Sequence, residues 1–226
     1  MSMKARIDTF PLPIRFPLGG RMRSKHLALV LGVLIAAAVS SPAWAESEDL
    51  GDFLERVCAG AFADEEGYEV TAQLCGMEVR SIRIEVPAVE GGSERLVAFE
   101  TLVADESDER FAGYQLIGGR VVERTRILFV FEREVAGAFH MCNVSSPLDI
   151  AWVRSNGSIL DIRSMQPGRG RPALGCPYLY APRAFGGYRF ALEVPPGFFE
   201  AHGIDREQAR FVVEPWMTSQ TDESPS

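Results

Sequence analysis

Apolar residues first recur at helical spacing. Leu50, Phe53, Leu54, Val57 and Ala61 share one face, with Asp49, Asp52, Glu55 and Arg56 elsewhere on the wheel, which predicts an amphipathic helix. Ser47 is its expected N-cap, with Glu48 and Asp49 suited to the positive end of the helix dipole. Beyond Gly67 the period shortens to two. Val79 to Val86 alternates, Glu90-Gly91-Gly92-Ser93 turns the chain, and Arg95 to Val103 follows as a second strand. Asp105 to Gly113 is polar and helix-prone, and Gly118-Gly119 interrupts the chain again. Ile127 to Phe131 is an apolar run of the kind a strand covered on both faces needs.

The strongest local signal is a hairpin. Asp149–Arg154 and Ser158–Arg163 flank Ser155-Asn156-Gly157, and Asn-Gly accepts the positive φ angles of a tight turn. Alternation puts Ile150 and Trp152 on one face and Asp149, Ala151 and Val153 on the other. A Gly/Pro-rich loop over 167–182 precedes a strand at Tyr188–Val194. Pro196 to His202 reads as a short helix ended by Gly203, and Phe211 to Val213 closes the fold. The pattern predicts a mainly β single domain, an antiparallel β-sandwich or barrel-like fold with one N-terminal helix and one short C-terminal helix.

The N-terminus reads differently. Arg21, Arg23 and Lys25 form a basic region, Leu27 to Val39 is apolar, and Ala43-Trp44-Ala45 has small residues where a signal peptidase reads. That order predicts a cleaved signal peptide over 1–45, and Met22 offers a conventional start. An extension over 46–78 (helix and strand), the β domain over 79–215 and a disordered tail over 216–226 complete the organisation. Removing the leader leaves 30 acids against 17 bases, all of them Arg, a net charge of −13. So acidic a surface argues against nucleic acid and against anionic membrane surfaces in the mature form. The expected location is periplasmic or secreted.

All four cysteines, Cys58, Cys75, Cys142 and Cys176, follow the leader. An even count in an oxidising compartment reads as two disulfides. Three pairings exist; sequence neighbours, Cys58–Cys75 and Cys142–Cys176, are favoured, each worth about 3 kcal/mol. No Cys-x-x-Cys, Ser-His-Asp order, His-Glu-x-x-His, phosphate loop or dinucleotide fingerprint is present. His140 and Cys142 would share one face of a strand and could serve a metal, but two ligands do not make a site, and a disulfide at Cys142 would remove the thiolate. No metal or cofactor is therefore expected.

One resemblance spans Ile82 to Val213. Its residues are Val103-Ala104-Asp105, Glu109-Arg110, Gly113, Ile127–Phe131, Met141 with Asn143, Pro147-Leu148-Asp149-Ile150, Asn156-Gly157, Met165 with Pro167, Ala191-Leu192-Glu193, Gly197 and Gly203-Ile204. In order and spacing they resemble the bacterial and archaeal family called domain of unknown function 192. The resemblance implies an all-β, sandwich-like fold and often an exported protein, and no established chemistry. The chain has Gly113-Tyr114-Gln115 where the family usually has Gly-Leu-Met. It has Arg126-Ile127-Leu128-Phe129 for Gly-Met-Leu-Phe, and His140-Met141-Cys142-Asn143 for Trp-Met-Lys-Asn.

Within that pattern Asn143, Asp149 and Glu193 are the candidate polar site, with His140 beside them. Asp149 and Glu193 interrupt apolar stretches, so each either faces solvent on an alternating strand or belongs to a hydrogen-bonded cluster. Three readings of function follow: a periplasmic binding or envelope-accessory domain serving a small molecule or an envelope protein; a hydrolase-like enzyme using the carboxylates of Asp149 and Glu193; and a metal-binding protein using His140 and Cys142.

Overall fold

The computed structural model describes residues 49–88, 93–168 and 179–218. The signal peptide, the start at Met22, Ser47, the turn at 90–92, most of the loop over 167–182 with Cys176, and the tail beyond 218 lie outside these residues.

Two helices open the described chain, α1 (Leu50–Cys58) and α2 (Ala72–Gly76). Asp49 caps α1, its carboxylate accepting from the Gly51 and Asp52 N–H groups, and so takes the role expected of Ser47. Cys58 and Cys75 are bridged, as the favoured pairing requires. The bridge joins two helices, since Cys75 lies in α2 and not in a strand.

Strands β1 (Glu78–Val86) and β2 (Arg95–Ala104) pair antiparallel; short helices α3 (Ser107–Ala112) and α4 (Gly119–Val122) follow, then β3 (Ile127–Val135) and β4 (Phe139–His140). The predicted hairpin is β5 (Leu148–Val153) and β6 (Ile159–Met165). After β7 (Leu179–Tyr180), β8 (Tyr188–Val194) has the predicted bounds, and α5 (Phe198–Ala201) and β9 (Arg210–Phe211) complete the set. A 3-10 turn at Pro215–Met217 buries Met217, so the expected disordered stretch from 216 starts with ordered residues.

The fold is mainly β. Seven strands form one curled sheet in the order β6-β5-β8-β3-β2-β1-β9, and β4 pairs with β7 in a small second sheet. One neighbouring pair, β2–β3, is parallel, because the connection through α3 and α4 returns the chain in the direction it left. At the far ends of the order, Ser158 bridges Arg210 and the Phe211 N–H donates to the Gly157 carbonyl at 2.9 Å. Gly157 must be glycine here. Its φ is +83°, and a Cβ would lie 2.2 Å from the Phe211 carbonyl oxygen.

Apolar clusters cover both faces of the sheet. The first holds α1 (Leu50, Phe53, Leu54, Val57), Phe129, Ile150, Trp152 and Ala191. The second gathers Ile82, Ile84, Ala151, Val153, Leu192, Val194 and the α5 residues Phe198 and Phe199. All six residues of β5 are buried, as expected of a strand with both faces covered.

Candidate functional site

Alternation in β5 and β8 decides where the candidate carboxyls go. In β8, Phe190, Leu192 and Val194 join the second cluster, so Ala191 and Glu193 face the first. In β5, Asp149 is in step with Ala151 and Val153 of the second cluster. The register pairs Asp149 with Val194, and Ile150 with Glu193. The two carboxyls therefore lie on opposite faces of the sheet, and one pocket does not contain both.

Glu193 and His140 share a pocket of about 380 Å³ over the first face. Its walls come from the α3 end (Arg110, Phe111, Gly113, Tyr114, Gln115), β3 (Phe129, Phe131), the β4 segment (Gly137, Phe139, His140) and β8 (Tyr188, Glu193). The rings meet at steep angles: Phe129 with Phe139 at 5.0 Å and 81°, Phe131 with Tyr188 at 5.6 Å and 81°. A capping box made by Glu106 and Glu109 sets α3, and Gly113 ends it at a φ of +46°. A Cβ on Gly113 would press to 3.3 Å from the Phe129 ring. The glycine lets this lip of the pocket close on the aromatic wall.

Glu193 is 4% exposed, and among the described residues its carboxyl has neither a hydrogen-bond partner nor a cation beside it. Burial alone pushes its pKa up to about 8, so at neutral pH the group holds its proton. The Tyr114 hydroxyl bonds Thr125 Oγ1 at 3.1 Å, and burial, then the nearness of Glu193, raise its pKa. Burial also pushes Tyr188 up to about 12, against the hydrogen bond its hydroxyl donates to the Gly137 carbonyl. The Nδ1 of half-buried His140 has no hydrogen-bond partner among the described residues. Arg110 is held in the wall, donating to the carbonyls of Asp105 and of Val130 (3.1 Å), with its guanidinium 5.5 Å from the Phe131 ring centre.

The other expected residues fall elsewhere. Asp149 Oδ2 accepts from the Gly197 N–H at 2.7 Å, tying the start of α5 to β5, beside a second cavity of about 460 Å³. Asn143 takes a left-handed conformation at φ 58°, and its carbonyl accepts from the Leu116 N–H at 2.9 Å. Its neighbour Val144, not Asn143, lines the pocket. Cys142 is disulfide-bonded, which takes its thiolate from the His140–Cys142 pair weighed as a metal site; its expected partner, Cys176, is outside the described residues. Among the described residues no group of three His, Cys, Asp or Glu side chains gathers to hold a metal.

The aromatic walls were not singled out as a site from sequence. The available signal was position: Arg110, Gly113 and Phe129 belong to the stretches that carry the family resemblance. Two of the places where the chain departs from that pattern, Tyr114-Gln115 and His140, line the pocket.

A family model, DUF192, described as Uncharacterized ACR, matches residues 88–209. Among solved structures, the chain is similar to a candidate transcription regulator from Sinorhizobium meliloti 1021, at 18% identity over 60% of this chain and 95% of that one, with a TM-score of 0.46. It is also similar to a protein of unknown function from Novosphingobium aromaticivorans DSM 12444, at 20% identity over 64% and 99%, with a TM-score of 0.41. No curated protein matches the chain.

Proposed function

The chain belongs to the DUF192 family, and we propose that it is an exported, periplasmic or secreted domain that binds a small molecule in the Glu193 pocket. One observation carries this reading: a buried carboxyl with no partner among the described residues forms part of an aromatic-walled cavity. Leaving a polar group unpaired in a dry place costs stability, and that cost is offset when a ligand completes its hydrogen bonds. A concave, mostly apolar pocket with a few polar groups is the usual form of a small-molecule site. Binding is favoured over paired-carboxylate catalysis because Asp149 is on the other face of the sheet.

The leader motif, the even cysteine count and the Cys58–Cys75 bridge support export. The contact between Ser158 and Arg210, at opposite ends of the strand order, supports a barrel-like closure of the curled sheet.

Two experiments test the reading. In an NMR-monitored fragment screen, hits should move the resonances of Gly113, Phe139 and Tyr188 together; hits that cluster elsewhere, or no hits, would overturn the pocket. N-terminal sequencing of the native protein should begin at Glu46, and a retained leader would overturn export.

A further inference from the structure

We propose that the ligand of this pocket is a small organic cation, a quaternary ammonium or a protonated amine, with Glu193 as its counterion and the aromatic rings as its box. The inference rests on the pocket reading above and adds the charge of the ligand.

A buried carboxyl can be satisfied in three ways: it keeps its proton and finds an acceptor, it ionises against a cation, or it ionises and accepts N–H bonds, of the kind that Asp149 accepts from Gly197. Among the described residues, none hydrogen-bonds or ion-pairs with the Glu193 carboxyl. The one Arg in the pocket wall, Arg110, is turned to the carbonyls of Asp105 and Val130. The tyrosine hydroxyls are engaged with Thr125 and Gly137. A ligand that brings a positive charge would pair with the ionised carboxylate at this buried position.

The walls favour the same charge. Phe129 with Phe139 and Phe131 with Tyr188 meet edge to face along the pocket wall, and aromatic rings attract ammonium groups. The Arg110 guanidinium lies 5.5 Å from the Phe131 ring centre, one cation–π contact already made at this wall. The net charge of the chain, −8, also draws cations and repels anions at long range.

Proton balance makes the proposal measurable. Binding a quaternary ammonium requires Glu193 to give its proton to solvent, while the charge of the ligand does not change with pH. Affinity should therefore rise with pH and level off once Glu193 is ionised in the free protein. The other ionisable groups facing the pocket are Arg110, Tyr114, His140 and Tyr188. Calorimetry in buffers of different ionisation enthalpy counts the protons released, and removing Glu193 assigns the proton to it.

The test titrates the purified full chain with tetramethylammonium, choline and benzyltrimethylammonium, each against its neutral carbon isostere (3,3-dimethyl-1-butanol for choline). The expected result is at least tenfold tighter binding of one or more cations than of the matching isostere. About one proton should be released at pH 6.5, and Glu193→Gln should bring cation and isostere close to parity and abolish the release. Isosteres binding as tightly as the cations, a preference that survives Glu193→Gln, or no proton release would overturn the cation while leaving the pocket standing. If neither the cations nor the neutral probes move the pocket resonances, both readings fail. Should Glu193→Gln not fold, the proton count and isostere comparison on the unaltered chain decide the matter alone.

Discussion

Glu193 and Asp161 are both buried carboxyls, and their surroundings push their pKa values in opposite directions. Burial raises the Glu193 pKa from 4.5 to about 8. Below pH 4.5 both the folded and unfolded chains are protonated there. Between 4.5 and 8 only the unfolded chain gives up the proton, so stability falls across that window and is level above it. Glu193→Gln should remove this slope. Urea midpoints at pH 5 and pH 8 should show the native chain losing on the order of a few kcal/mol relative to the variant. An equal loss in both would mean that Glu193 is not a buried acid.

Asp161, 0% exposed, is the reverse case. Burial pushes its pKa up, but bonds from the Arg183 side chain and backbone, with the Ile162 N–H, outweigh that and hold it below the ordinary value. Its contribution is present above the ordinary carboxylate pKa and is lost as pH falls through the lowered one. Asp161→Ala should cost about 2 kcal/mol by urea denaturation at pH 7, since it removes several charge-assisted bonds at once. The two acids look alike in sequence. The family pattern marked Glu193 and Asp149 as candidates, but alternation could not tell a solvent-facing carboxyl from a buried one when both faces of the sheet are covered. Nor could it show that Asp149 is spent on the Gly197 N–H.

At the scale of elements, the hairpin of β5 and β6 and the strand β8 were legible because each has a local cause: Asn156-Gly157 for the turn, and an apolar run for the buried strand. The helices α2 and α4, of five and four residues, are too short to show a period. Gly118-Gly119 reads as a break, yet it leads into α4. Gly118 is there because a Cβ would collide at 2.3 Å with the backbone of Gly67. Two element-scale outcomes follow. Gly157→Ala should cost about 2 kcal/mol in thermal or urea unfolding, as it strains the turn and pushes on β9. Replacing Cys58 and Cys75 together by Ser should cost about 3 kcal/mol under oxidising conditions, the closure of a short loop between α1 and α2. An unchanged midpoint would mean that the packing of α1 on the first cluster holds that end without the bridge.

Over the whole molecule, the mainly β class was readable from strand periodicity and turn residues. The pairing of β2 with β3 in parallel was not, because it depends on a connection that includes α4, a helix too short to show a period, as well as the helix-prone segment over 105–113. The pocket was hidden for a related reason: its walls come from four separated stretches, and proximity between them exists only once the sheet has curled.

The last strand has a further consequence. β9 lies on the outer edge of β1 and also touches the hairpin turn, so three residues, Arg210, Phe211 and Val212, shield one side of a long, apolar-faced strand. Ile82, Ile84 and Val86 of β1 are almost fully covered. A chain ending before Arg210 would leave that edge without its guard, free to recruit the same edge of another molecule. Such a shortened chain should form thioflavin-binding fibrils at concentrations where the intact one remains monodisperse; persistence of clear, unassembled solutions would show that β1 protects itself.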